Sequence, residues 1–138
     1  MYTNKFFDFT ISGENFDPII LNKDINMDNC EIYIKGDITS SLYSKRDFVQ
    51  KTNRWVYSAM LQDHTKIETF LTKNLNILVK KLDILKPYME NYKAIMELTI
   101  YGDSDINKNN RLHFKLSKSH MQLLNKIGVE LQVAYFAD

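Results

Sequence analysis

The 138 residues include one cysteine, two prolines and four glycines. A lone cysteine, Cys30, excludes an intrachain disulfide and favours a reducing compartment. Four isolated glycines leave no Gly-rich loop able to cradle a pyrophosphate. An excess of charge is missing too: 18 basic and 17 acidic side chains give a net charge of +1. Proteins that neutralise phosphates carry a much stronger basic excess, so nucleic acid is not an expected partner. No stretch approaches the ~18 apolar residues that cross a bilayer. Residues 1–12 alternate polar and apolar types and lack the apolar run of a signal peptide. These absences together lead to the expectation of a cytoplasmic protein with no membrane contact.

Aromatic side chains are what the chain has in quantity, with eight Phe, eight Tyr and one Trp within a 44% hydrophobic composition. That is enough buriable surface to offset chain entropy. The length is that of one domain, residues 1–138, with no linker or internal repeat.

Alternation of period two marks several strands. Phe7, Phe9 and Ile11 oppose Asp8, Thr10 and Ser12, and Gly13 closes that segment. Residues 30–35 form a second strand. A third, 54–60, puts Trp55 and Tyr57 on one face and Val56 and Ser58 on the other. Met96, Leu98 and Ile100 share a face of a fourth, 95–101. Leu112, Phe114 and Leu116 suggest a fifth, paired antiparallel to the fourth across the polar turn 102–110. Val129, Leu131, Val133 and Tyr135 make the last. Residues 38–52 are polar and uneven and read as loop.

Helices are marked by caps and by spacings of three and four. Asp17-Pro18 starts a short helix, since Pro is tolerated where the N–H needs no partner. Thr65 and Glu68 form a capping box ahead of Ile67, Phe70, Leu71, Leu75, Leu78, Leu82 and Leu85. This predicts one helix over 66–85, with Lys66, Lys73 and Lys80 on its far side. Pro87 opens a shorter helical piece through Tyr92. Ser119 and Gln122 form a second capping box, and Gly128 closes that helix in the left-handed region. Hairpins mixed with helices imply an α+β fold, with a mostly antiparallel sheet of about six strands and helices packed on one face.

Catalytic and metal motifs are not found in this pattern. His64, His113 and His120 lack a second ligand at zinc spacing and read as surface histidines. Asp103, Asp105, Asn107 and Asn109 begin like a calcium loop. Lys108 and Phe114 stand where that loop needs glycine and a bidentate carboxylate, so a solvated turn is expected. Cys30 begins an apolar strand and reads as a small buried residue. Ser119 and His120 are adjacent on a helix start and cannot face one another. The lysine row reads as a solvated helix back, with an acidic partner as its functional alternative. Trp55 is either core or an interface anchor, because Arg54, Trp55 and Tyr57 are residue types that anchor interfaces.

In order and spacing, Phe9-x-Ile11-x-Gly13, Asp17-Pro18, Lys35-Gly36-Asp37, Trp55-x-Tyr57-Ser58 and a helix begun at His64 resemble the domain-of-unknown-function family numbered 4279. The ending, from Leu116-Ser117 through Ile127-Gly128 to Leu131–Tyr135, is similar as well. The chain departs from that pattern in the polar stretch 19–29 and in a long insert between Gly36 and Trp55. The resemblance implies a small bacterial α+β domain with no established activity, and by analogy a role in protein binding.

The expected function is a non-enzymatic binding module of immunity or inhibitor type, acting on another protein. The alternative is a small-molecule domain for a nucleotide or metabolite. Asp37, Arg54, Trp55 and Tyr57 are the candidate binding residues, and no catalytic residue, metal or cofactor is expected.

Overall fold

A computed structural model of the protein describes residues 4–40, 47–61, 66–102 and 114–137. In chain order these form β1 (Asn4–Gly13), α1 (Pro18–Ile25), β2 (Cys30–Tyr33), β3 (Ile38–Ser40), β4 (Asp47–Val49) and β5 (Asn53–Leu61). Then come α2 (Ile67–Val79), α3 (Leu82–Asn91), β6 (Lys93–Gly102), α4 (Lys118–Ile127) and β7 (Leu131–Ala137). The class is α+β, with a five-stranded sheet in the order β2-β5-β1-β6-β7 and a separate two-stranded sheet of β3 and β4.

Period-two alternation becomes burial directly. Phe7, Phe9 and Ile11 of β1, Trp55 and Tyr57 of β5, and Met96, Leu98 and Ile100 of β6 lie in one core with the apolar residues of the helices. The opposite sheet face has no helix over it among the described residues and, apart from the buried Thr99, is half-buried or exposed. Edge-to-face contacts lock the core aromatics, with ring centroids 6.3 Å apart for Phe7–Tyr57 and 6.4 Å for Phe9–Trp55. Gly13 is required by a close approach: a Cβ there would lie 2.7 Å from Cδ1 of Tyr92.

The helix start at Asp17-Pro18 is as expected. Asp17 Oδ1 accepts from the N–H groups of Ile19 (3.0 Å) and Ile20 (3.3 Å). The irregular stretch from Ile19 on is helix α1, which buries Leu21 and Ile25. Gly128 closes α4 at φ 77, and its N–H donates to Leu124 O at 2.8 Å.

Several expectations need correction. The single helix 66–85 is two, broken at Lys80-Lys81, where Lys81 has φ -110 and ψ 11. The break re-aims the chain so that α2 buries the stripe from Ile67 to Leu78, while α3 turns Leu85 into the core. Pro87 lies inside α3 rather than opening a helix. Residues 38–52 contain the β3–β4 hairpin, held by Gln50, whose N–H donates to Asp37 O at 2.8 Å and whose Nε2 donates to Thr39 Oγ1 at 2.7 Å.

Another correction concerns the expected strand through Phe114. Residues 111–113 lie outside the described residues, as does the calcium-like turn 103–110. Residues 114–117 are not strand. Lys115 instead donates its N–H to Glu68 Oε1 at 3.1 Å. On its side away from β1, β6 pairs with β7, and that pair is parallel, with Met96 opposite Leu131. The crossover through α4 permits that direction, which a hairpin could not. The sheet is thus mixed, although three of its four pairings are antiparallel.

A further correction concerns the α4 cap and His120. Ser117, not Ser119, is the N-cap, and His120 completes the capping box. His120 is 3% exposed, not a surface histidine. His64, His113 and the proposed cap Thr65 lie outside the described residues; α2 has Lys66 at its N-cap, without a side-chain hydrogen bond.

Candidate functional site

Alternation places the four expected binding residues in different surroundings. Trp55 is fully buried, and its Nε1 donates to Asn22 Oδ1 at 3.2 Å. Tyr57 is 3% exposed and donates to Asn74 Oδ1 at 2.7 Å. Arg54 points to the uncovered face, with its guanidinium 4.5 Å above the Tyr33 ring and Nη2 2.8 Å from Gln50 Oε1. Asp37 is exposed at the base of the hairpin. The structure does not gather the four into one site.

What it does gather is a row on the uncovered face that no single segment reveals. Phe6 of β1 faces Met60 of β5, and on its other side approaches Tyr101 of β6 edge-on at 5.6 Å. Tyr101 stacks on its β7 partner Phe136 at 5.3 Å. Met60 (57%), Tyr101 (41%) and Phe136 (52%) are exposed.

Beside the row lies a polar strip, where cross-strand register sets Ser58, Asp8 and Glu97 in line. Ser58 donates to Asp8, Thr99 donates to Glu97 at 2.9 Å, and Tyr33 donates to Glu31. A cleft of ≈ 310 Å³ joins Asp8, Arg54, Tyr33 and Glu97. Burial raises the Asp8 carboxyl above its ordinary value; the Ser58 hydrogen bond opposes this, and the charges of Glu97 and Glu31 add to it. The Tyr33 phenol is pushed up to about 12, chiefly by its bond to Glu31 and then by burial.

Around the outer edge of β5 runs a larger groove of ≈ 730 Å³. Tyr57, Ala59 and Leu61 face Phe70, Asn74 and Ile77 of α2 across it, and Lys73 is on its rim. Its floor is hydrogen-bonded, because Asn74 accepts from Tyr57 and donates Nδ2 to Phe70 O at 2.8 Å. Phe6, Asp8, Ser58 and Met60 also line it, so the groove opens onto the uncovered face.

The Ser117–His120 pair is a close hydroxyl–imidazole contact, with Oγ 3.0 Å from Nδ1. Its geometry is structural. Ser117 Oγ accepts the His120 N–H, while Nδ1 accepts the Ser117 N–H and so has no lone pair left to serve as a base. The proton is therefore on Nε2, directed at Thr72 Oγ1 (2.7 Å) and Glu68 O (3.1 Å). The Cys30 thiol is pushed up to about 11, by burial first and Asp28 second, which keeps it protonated at neutral pH. No helix among the described residues is long and apolar enough to cross a membrane. No three His, Cys, Asp or Glu side chains among them are grouped to hold a metal ion.

The family described as Domain of unknown function (DUF4279) matches residues 3–137. No curated protein and no solved structure matches the chain.

Proposed function

We propose, for a chain that belongs to the DUF4279 family, a non-enzymatic binding module of immunity or inhibitor type that works by contact with another protein. The observation that carries this reading is the exposed row Met60–Phe6–Tyr101–Phe136. A contiguous apolar patch with a polar border is uncommon on a monomer's surface and characterises interaction sites. Aromatic side chains at the centre of such patches supply most of the binding energy. The polar strip around Asp8, Glu97 and Arg54 provides the hydrogen-bonding border that fixes orientation. A reducing bacterial cytoplasm fits the single cysteine, Cys30.

The second reading is a small-molecule site. The ≈ 730 Å³ groove has the size of a metabolite pocket, and that observation favours it.

Side-by-side affinity isolation from the protein's own host tests the first reading, using the tagged wild type and the Phe136→Asp variant. Phe136 is 52% exposed, so the variant is expected to fold normally. A protein recovered stoichiometrically with the wild type and lost with Phe136→Asp is the expected result. Equal recovery by both, or recovery of no protein, counts against the reading.

A further inference from the structure

We propose that the outer edge of β5, from Ser58 to Leu61, is a strand-addition site for an extended, largely apolar segment of a partner protein that carries a carboxylate. Among the described residues, a strand covers the edge over only half its length. β2 pairs with β5 from Arg54 to Tyr57 and no further. The next bond on this side runs from Ser58 N–H to Asn29 O at 3.0 Å. Asn29, at φ 62, then takes the chain away. On the opposite side, β1 continues to pair through Lys5–Leu61. Alternate residues of a strand direct their backbone groups to the same side. Met60 therefore presents its N–H and C=O on the side of β2, where no strand pairs with it among the described residues. β5 is already extended and fixed along that stretch, so an added strand would meet a preformed ladder.

The groove supplies side-chain recognition. A strand added ~4.8 Å from β5 lies over it, with every second side chain directed between β5 and α2. Phe70, Ile77, Ala59 and Leu61 make those walls apolar. The Tyr57–Asn74 pair leaves no unsatisfied polar group on the floor to demand a ligand hydrogen bond. Side chains on the other face of the added strand would meet Met60 and Phe6.

Charge selects the carboxylate. Lys73 is exposed on the groove rim, and Lys66 and Lys80 are exposed seven residues to either side of it. That spacing is two helical turns, ~10 Å along the same flank of α2. Neither Lys73 nor Lys80 is paired to a carboxylate among the described residues. A carboxylate on the added strand would meet Lys73 there, which gives the lysine row a use its solvated reading does not.

The inference rests on the protein-contact reading and adds the kind of segment the partner presents. Selection from a displayed library of random short peptides tests it. Enriched peptides are expected to be apolar with at least one Asp or Glu, and to bind Lys73→Glu about tenfold more weakly. They are expected to lose binding to Met60→Pro, which removes an outward N–H and no bond to β1. If Met60→Pro fails to fold, peptides N-methylated at alternate residues test the same bonds on the wild type. The proposal is overturned if no peptide is enriched. Peptides that bind Met60→Pro as tightly as the wild type, or a metabolite mixture that stabilises both proteins equally, would also overturn it. In either case a partner protein still lost with Phe136→Asp leaves the protein-contact reading intact.

Discussion

Trp55 and Asp8 show how one sheet divides its residues between stability and contact. Trp55 faces the helices, fully buried and hydrogen-bonded to Asn22. Trp55→Ala is expected to cost about 3–5 kcal/mol in urea unfolding. That is a large share of the ~5–15 kcal/mol available to a domain of this size. A cost below about 1 kcal/mol would mean that the indole is not core. Asp8 is on the other face, with its carboxyl raised mainly by burial. A raised folded-state value means that the ionised form is disfavoured on folding. The favourable contribution is therefore complete below the ordinary carboxylate range and is lost as pH rises through the raised value. Asp8→Asn keeps an acceptor for Ser58 and is expected to melt higher than the wild type at pH 7. That gain should vanish near pH 3, as read by thermal denaturation at both values. A variant that melts lower at pH 7 would contradict the assignment.

Among the elements, α4 depends most on one side chain. His120 caps its own helix through Ser117 and reaches Thr72 and Glu68 of α2 with Nε2. His120→Ala takes one partner from the Glu68 carbonyl, leaves the Ser117 N–H without its own, and is expected to cost about 2–3 kcal/mol. Ser117→Ala, a cap loss alone, is expected to cost about 1 kcal/mol. Equal losses in urea titrations of the two would mean that the α2 contact contributes nothing. The same element shows why some of the fold could be read from sequence and some could not. β1 and β6 alternate over nearly their whole length, and Asp17-Pro18 and Gly128 act locally, so all four were legible. The α4 cap was missed because His120 does the work of the Glu or Gln expected three residues into a capping box. The α2–α3 break leaves the leucine spacing undisturbed, so periodicity alone reads straight through it.

At the scale of the molecule, the candidate surface depends on strand order, which local sequence does not carry. Alternation already separates Arg54 from Trp55 and Tyr57, so those three could be seen not to share a face. Phe6, Met60, Tyr101 and Phe136 belong to four strands and meet only because β5, β1, β6 and β7 are neighbours in that order. Residues 38–52 hid a hairpin because its strands are three residues each, too short for alternation to register. The β5 edge is a further consequence of order and length: β2 has four residues against nine in β5, and the difference leaves the groove beside α2.

Native mass spectrometry of the tagged protein, isolated gently from its own host, tests the central claim most directly. A protein-sized mass bound to the 16.3 kDa chain is the result this account requires. The bare chain, or an adduct of a few hundred daltons (~ the scale of a single pocket's ligand), would contradict it.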